Sequence, residues 1–176
     1  MSSYPAEWER HERLRDGSRV FVRPIKDEDA ALYPDFIAAE SAEDARRRFL
    51  GAVRDLSQEH IARLTHVDYS RAMAFIAIDE TDKKMLGVVR LHRQADDPGT
   101  GEYAVIVRSD CKGRGLGRLL MRRMIEWAEA ARLKTIFGLV LADNAEMLRL
   151  CGQFGFQIGD YLPDRDIKRV TLQLTG

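Results

Sequence analysis

Residues 111–118 read Cys-Lys-Gly-Arg-Gly-Leu-Gly-Arg, three glycines alternating with larger side chains just ahead of an amphipathic helical pattern. No other segment restricts the possible folds as much. Glycine tolerates the left-handed backbone that other residues resist, so the chain can turn sharply here and begin a helix at once. Bare glycines also leave the first helical N–H groups unshielded, and these orphan donors, with the helix dipole, suit a phosphate group. Lys112, Arg114 and Arg118 add positive charge around them. A Walker loop needs four residues between its first glycine and a Gly-Lys-Ser/Thr, and nothing here fits. A dinucleotide fingerprint needs Gly-x-Gly-x-x-Gly in a parallel βαβ unit with an acidic residue roughly 20 positions on. The spacing here is Gly-x-Gly-x-Gly, and the strand before it reads as part of an antiparallel meander. Both nucleotide signatures fail.

The elements around the turn follow from periodicity. Residues 1–17 carry many charges and few apolar anchors and read as an N-terminal arm, with the domain proper over 18–176. Ser18–Ile25 alternates as a strand that Pro24 closes. Asp27-Glu-Asp29 starts a helix over Ala30–Glu40, with Leu32, Phe36 and Ile37 on one face. Ser41-Ala-Glu-Asp44 resembles a capping box for a second short helix through Phe49-Leu50, and Ser57 opens a third with Ile61, Leu64 and Thr65 inward. Met73–Ile78, apolar on both faces, reads as a central strand. Met85–His92 and Glu102–Val107 follow through short turns, giving an antiparallel meander. In the helix after the glycines, Leu116, Leu119, Leu120, Met124, Trp127, Ala128 and Ala131 repeat inward, with Arg118, Arg122, Glu126 and Arg132 outward. Thr135–Leu141 is a buried-type strand. Asn144 starts a last helix that ends by Gly155, and Phe156–Ile158 and Ile167–Leu174 close the sheet. The order βαααβββαβαββ predicts a single α/β domain with a mixed sheet.

Composition narrows the function. At 176 residues the chain suits one domain, and its 28 Lys+Arg balance 28 Asp+Glu. That balance argues against a dedicated nucleic-acid binder and against a polybasic membrane anchor. No apolar run approaches the roughly 18 residues of a spanning helix, and Met1–Glu12 has no signal-peptide core. Arg46–Arg48 and the pair Arg122, Arg123 read as solvated helix faces. Cys111 and Cys151 give neither a disulfide framework nor zinc spacing, and His11, His60, His66 and His92 show no ligand spacing. The expectation is a cytoplasmic protein with no metal, nucleic-acid or membrane partner.

The glycine turn resembles the acetyl-CoA site of the GNAT superfamily of N-acetyltransferases. Their hallmark, Arg/Gln-x-x-Gly-x-Gly/Ala, falls on Lys112-Gly-Arg-Gly115-Leu-Gly117, with Lys112 departing from the usual Arg or Gln. Downstream, their Asn, then Tyr, then Gly-Phe falls on Asn144, Cys151 and Gly155-Phe156. The element order agrees, so the resemblance covers most of residues 18–174. Leu14–Ile25, Arg48-Phe49-Leu-Gly51, Leu64–Tyr69 and Glu102–Val107 are further similar to the acetyltransferase domain of Pat-type protein lysine acetyltransferases.

The resemblance implies two parallel strands, 102–107 and 135–141, splayed apart at the cofactor site of a mostly antiparallel sheet flanked by helices. It implies acetyl-CoA held by the Val105, Ile106 and Val107 backbone, by Lys112, Gly113, Arg114, Gly115, Leu116, Gly117 and Arg118, and by Asn144. Glu102 shares a strand face with Ala104 and Ile106, so it is an isolated carboxylate beside apolar groups, suited to general-base work. The Pat-type resemblance also places the catalytic glutamate on this strand. Arg48, Phe49, Asp68 and Tyr69 are acceptor-side residues by resemblance alone. Cys151 stands where many relatives carry a Tyr that protonates the departing thiolate; a thiol is a weak donor, and no His partner is visible that would make it a nucleophile. The leading expectation is acetylation of lysine side chains on a protein such as an acyl-CoA synthetase. Acetylation of a small amine, or acyl-CoA sensing without catalysis, are the alternatives.

Overall fold

Strand Ala72–Asp79 is buried on both sides, and the sheet is built outward from it. The computed structural model describes residues 3–41, 43 and 57–174. Strands β1 (Arg10–Arg13), β2 (Arg19–Pro24), β3 (Ala72–Asp79), β4 (Met85–Arg93) and β5 (Thr100–Val107) form an antiparallel run. β6 (Thr135–Leu141), β7 (Gln157–Asp160) and β8 (Ile167–Gln173) complete the order β1-β2-β3-β4-β5-β6-β8-β7. Among the described residues only β5–β6 is parallel. Helices α1 (Tyr33–Ala38) and α2 (Gln58–Thr65) cover one face, and α3 (Leu116–Ala130) and α4 (Ala145–Gln153) the other.

Alternation along β3 feeds both cores. Met73, Phe75 and Ala77 join Leu120, Met121, Met124 and Trp127 of α3. Ala74, Ile76 and Ile78 join Tyr33, Phe36 and Ile61. Each fully buried side chain such as Phe36 or Leu120 contributes about 1.5–3 kcal/mol by leaving water. The α3 stripe follows the expected spacing, and the hydroxyl of Ser57 caps α2 by accepting from His60 N at 3.2 Å. The mixed, mostly antiparallel sheet and the helix layers agree with the sequence expectation.

Four local expectations need correction. Within the arm expected over 1–17, Arg10–Arg13 is an edge strand on β2, because its backbone completes the ladder whatever its side chains. The helix expected over Ala30–Glu40 is a 3-10 turn, Asp27–Leu32, followed by the shorter α1, and its most buried anchors are Tyr33 and Phe36. The strand expected at Phe156–Ile158 runs from Gln157 to Asp160, leaving Phe156 in the core. Arg123, read as part of a solvated face, is 1% exposed. Its Nη2 donates to the Trp8 carbonyl, and its guanidinium lies 4.8 Å from the Phe75 ring centre and 5.9 Å from that of Trp8. It ties the N-terminal residues to α3. The helix expected after Ser41 lies almost wholly outside the described residues, as do Arg48 and Phe49.

The parallel pair is short. It runs Thr100–Thr135, Gly101–Ile136 and Glu102–Phe137, and the next pair in register would be Tyr103 with Gly138. There the Tyr103 ring lies over β6: a Cβ on Gly138 would stand 2.8 Å from its Cδ1 and Cζ. Glycine at 138 is therefore a requirement of close approach. Gly138→Ala should destabilise the protein by about 1–3 kcal/mol through overpacking. A urea titration checks this as a lower midpoint at unchanged slope; an unchanged midpoint would mean that the ring is free to leave.

Candidate active site

Past Glu102–Phe137 the ladder between β5 and β6 ends, so backbone groups of residues 103–107 on that edge are not paired to β6. A cleft of about 190 Å³ occupies the divergence. β5 supplies one wall through Tyr103–Val107, β6 supplies Leu139–Leu141, and α4 supplies Met147 and Leu150. Lys112 and Gly117 border it at the glycine turn, and Asn144 at the start of α4.

The glycine turn forms as the spacing predicts. Gly113 and Gly115 have φ of 83° and 85°, in the left-handed region, and Gly115 is the N-cap of α3. With no side-chain cap on that helix end, its first N–H groups are left for another acceptor. Gly117 has ordinary backbone, and a Cβ there would sit 3.6 Å from Leu150 and 3.9 Å from Val107, both cleft-lining residues.

The expected cofactor residues divide into two groups. Val105, Ile106, Val107, Lys112, Gly117 and Asn144 all border the cleft. Gly113, Arg114, Gly115, Leu116 and Arg118 do not line it. Leu116 is in the core. Arg114 donates to Asp16 and Ser18, and Arg118 to Gln153. Asn144 also caps α4, its Oδ1 accepting from Met147 N at 3.3 Å.

Glu102 is the last residue of β5 paired to β6, half-buried where those strands part and opposite His92 of β4. It does not line the cleft but shares a sheet face with Ala104 and Ile106 at its edge. On that face Arg90, opposite Ala104, donates to the Leu64 carbonyl at 2.6 Å and to the Tyr33 hydroxyl, holding α1 and α2 beside the strand. Arg108, just past β5, donates to Asp35 at 2.7 Å and to both oxygens of Asp110, and Ser41 N donates to Ser109 Oγ at 2.8 Å. These contacts bring Glu40 to the cleft wall. No local signal in the sequence marks Glu40. Tyr103 was also missed, although an isolated glycine inside the β6 pattern was a signal that something large approaches it.

Asp68 and Tyr69 lie away from the cleft. Tyr69 donates to the Ile25 carbonyl and stacks on Tyr4, while Asp68 accepts from Ser70 N and Oγ in a tight turn. They border a separate depression with Lys26, Asp27 and His66. Cys151 is 0% exposed, and its Sγ is 3.1 Å from the Tyr103 hydroxyl. Burial raises the Cys151 thiol and lifts the Tyr103 phenol well above its usual range, so both stay protonated at neutral pH. A nucleophilic Cys151 thiolate is disfavoured. Among the described residues no His, Cys, Asp or Glu group could hold a metal ion, and no helix is long and apolar enough to cross a membrane.

A sheet that opens between two parallel strands beside a glycine-opened helix start is the framework of an acetyltransferase. The chain belongs to the GNAT acetyltransferase family: residues 19–157 match the family described as "Acetyltransferase (GNAT) domain". It is 32% identical over 155 residues to an acetyltransferase of Pseudomonas aeruginosa, covering 87% of this chain and 82% of that one. It is 25% identical to the acetyltransferase Pat of Mycolicibacterium smegmatis, over 81% of this chain but 43% of that one. The mycothiol acetyltransferase of Rhodococcus opacus is 37% identical over 48% of this chain and 28% of its own length. The crystal structure of the GNAT domain of S. lividans PAT superposes with a TM-score of 0.88 at 26% identity, covering 98% of this chain and 100% of that one. Acetyltransferases of this family use acetyl-CoA as the acyl donor.

Gly117 separates binding from folding. Gly117→Ala meets only ordinary contacts and should fold normally, yet its methyl faces two cleft-lining residues. Acetyl-CoA affinity should fall about tenfold by calorimetry at unchanged thermal stability. Unchanged affinity would show that the cofactor does not pass this wall.

Proposed function

We propose that the protein acetylates lysine side chains of a folded protein from acetyl-CoA, with Glu102 as general base. The observation that carries the reading is the position of Glu102, a half-buried carboxylate at the vertex where β5 and β6 part, beside the cleft. Bound acetyl-CoA would supply a thioester whose C–S bond breaks as the acceptor nitrogen bonds to the carbonyl carbon. The backbone of Val105–Val107 would hold the pantetheine arm as an added strand, since that edge has no β6 partner. A backbone N–H on the same edge would polarise the carbonyl oxygen. The backbone N–H groups at the unshielded start of α3, beside Gly117, would take the phosphates, and Asn144 would border the arm.

A lysine ammonium has an ordinary pKa of about 10.4 and is almost wholly protonated at neutral pH, so transfer requires a base. Glu102 accepts that proton, directly or through one water, and the departing thiolate takes one from solvent. Cys151, protonated and bonded to Tyr103 inside the core, is assigned no step.

The protein acceptor is supported by the likeness to the PAT domain, which extends over nearly all of both chains. An acyl-CoA synthetase is the acceptor type this likeness favours, and a cytoplasmic location goes with it. The partial match to mycothiol acetyltransferase favours a small amine as the second reading. The deciding comparison is kcat/KM for a native synthetase against a lysine-centred peptide and free amines. The native protein should lead, and free amines ahead by orders of magnitude would establish the second reading. Turnover on none of them would leave an acyl-CoA sensor. Glu102→Gln should lower kcat by roughly 10²–10⁴ at neutral pH, with the loss shrinking as pH rises and the amine deprotonates in solution. Near-normal kcat at pH 7 would move the base elsewhere.

A further inference from the structure

The basic side chains written into the glycine turn are not the ones left available beside it. Arg114 donates from Nε to Asp16 Oδ2 at 2.8 Å, from Nη2 to Ser18 Oγ at 2.6 Å, and from Nη1 to Cys111 Sγ at 3.4 Å. Arg118 donates to Gln153, with its guanidinium 5.6 Å from the Phe154 ring centre. Lys112 is engaged as well. Asp16 and Ser18 belong to the turn that joins β1 to β2, so Arg114 clips that hairpin onto the glycine turn. Asp16 is also fixed from within, accepting from Ser18 N at 3.0 Å and from Ser18 Oγ at 2.6 Å.

The clip delivers Arg15. Its Nε lies 3.5 Å, its Cγ 3.7 Å and its Cδ 3.8 Å from where a Cβ on Gly115 would stand. The side chain is exposed, and among the described residues it makes no hydrogen bond or ion pair. An unengaged guanidinium therefore rests against the N-cap of a 15-residue helix whose first N–H groups have no side-chain cap. A guanidinium presents a planar fork of donors that matches a phosphate, and the helix start favours the same anion.

We propose that Arg15, from the β1–β2 turn, binds a phosphate of the 3′-phospho-ADP end of the acyl-CoA, and that Arg114 is its positioning residue rather than a phosphate ligand. The assignment rests on the acyl-CoA reading of the cleft. It makes the N-terminal hairpin part of cofactor recognition, and it sets discrimination between CoA thioesters and short pantetheine thioesters at Arg15.

The test is binding of three probes, acetyl-CoA, acetyl-dephospho-CoA and S-acetylpantetheine, followed by NMR titration. Arg15→Gln should weaken acetyl-CoA by about ten- to a hundredfold, the range of a charge-assisted hydrogen bond, and leave S-acetylpantetheine unchanged. A penalty that disappears with acetyl-dephospho-CoA assigns Arg15 to the 3′-phosphate, and one that persists assigns it to the pyrophosphate. Asp16→Ala, which releases the clip without removing the guanidinium, should cause part of the loss. Combined with Arg15→Gln it should add nothing, because it acts through Arg15. Equal effects of Arg15→Gln on acetyl-CoA and S-acetylpantetheine, or none on either, would overturn the proposal. If acetyl-CoA binds the unmodified protein and Gly117→Ala weakens it while Arg15→Gln does not, only Arg15 is misassigned. If acetyl-CoA does not bind the unmodified protein, the acyl-CoA reading itself fails.

Discussion

The parallel ladder between β5 and β6 ends after three pairs, at the point where a tyrosine ring lies over a glycine on the neighbouring strand, and the cleft depends on that ending. Had β5 and β6 continued in register, the backbone of Tyr103–Val107 would be bonded to β6, with no edge for a ligand to join. Tyr103 occupies the space that a side chain at 138 would take, and its hydroxyl is held by the Cys151 thiol on α4. The contact joins β5, β6 and α4 around one buried ring. The cleft walls are the same three elements. Divergence, ring contact and cleft therefore coincide at one place in the fold.

A second set of contacts draws the N-terminal residues onto α3 and the turn before it. Arg123 sits within the core with its Nε and Nη1 lacking hydrogen-bond partners among the described residues. Burial lowers its pKa, as removing a cation from water must. The Phe75 and Trp8 rings and the Trp8 carbonyl compensate in part. Arg114 makes the matching contact at the other end, to Asp16 and Ser18. The N-terminal residues are thus pinned at two places, Trp8 on α3 and the β1–β2 turn on the glycine turn before it.

Much of the architecture was legible because it follows local rules. Alternation placed the meander, the 3.6-residue stripe placed α3, and alternating glycines placed the turn that opens it. These patterns depend on neighbours a few residues apart. That Val105–Val107 line the cleft was expected from the resemblance to the GNAT superfamily rather than from such local rules. What was not legible depended on distant partners. Arg10–Arg13 gained its strand from β2, and Arg123 its burial from Trp8 and Phe75. Glu40 reached the cleft through contacts of Asp35 with Arg108 and of Ser41 with Ser109. Asp68 and Tyr69 fell to a different depression because Tyr69 is held by the Ile25 carbonyl.

The sequence by itself determined most of the elements, their order and a helix start able to receive an anion, since backbone preference and periodicity act over short spans. Only the tertiary structure decided how that helix start is furnished. Arg114 looks in sequence like a phosphate ligand, but Asp16 and Ser18 claim its guanidinium from 98 and 96 residues away and leave Arg15 against Gly115. A charged side chain takes whichever partners the fold brings within hydrogen-bonding range, and chain closeness does not foretell them. The same holds for Tyr103, whose ring lies on β6 only because Gly138, on another strand, leaves room for it.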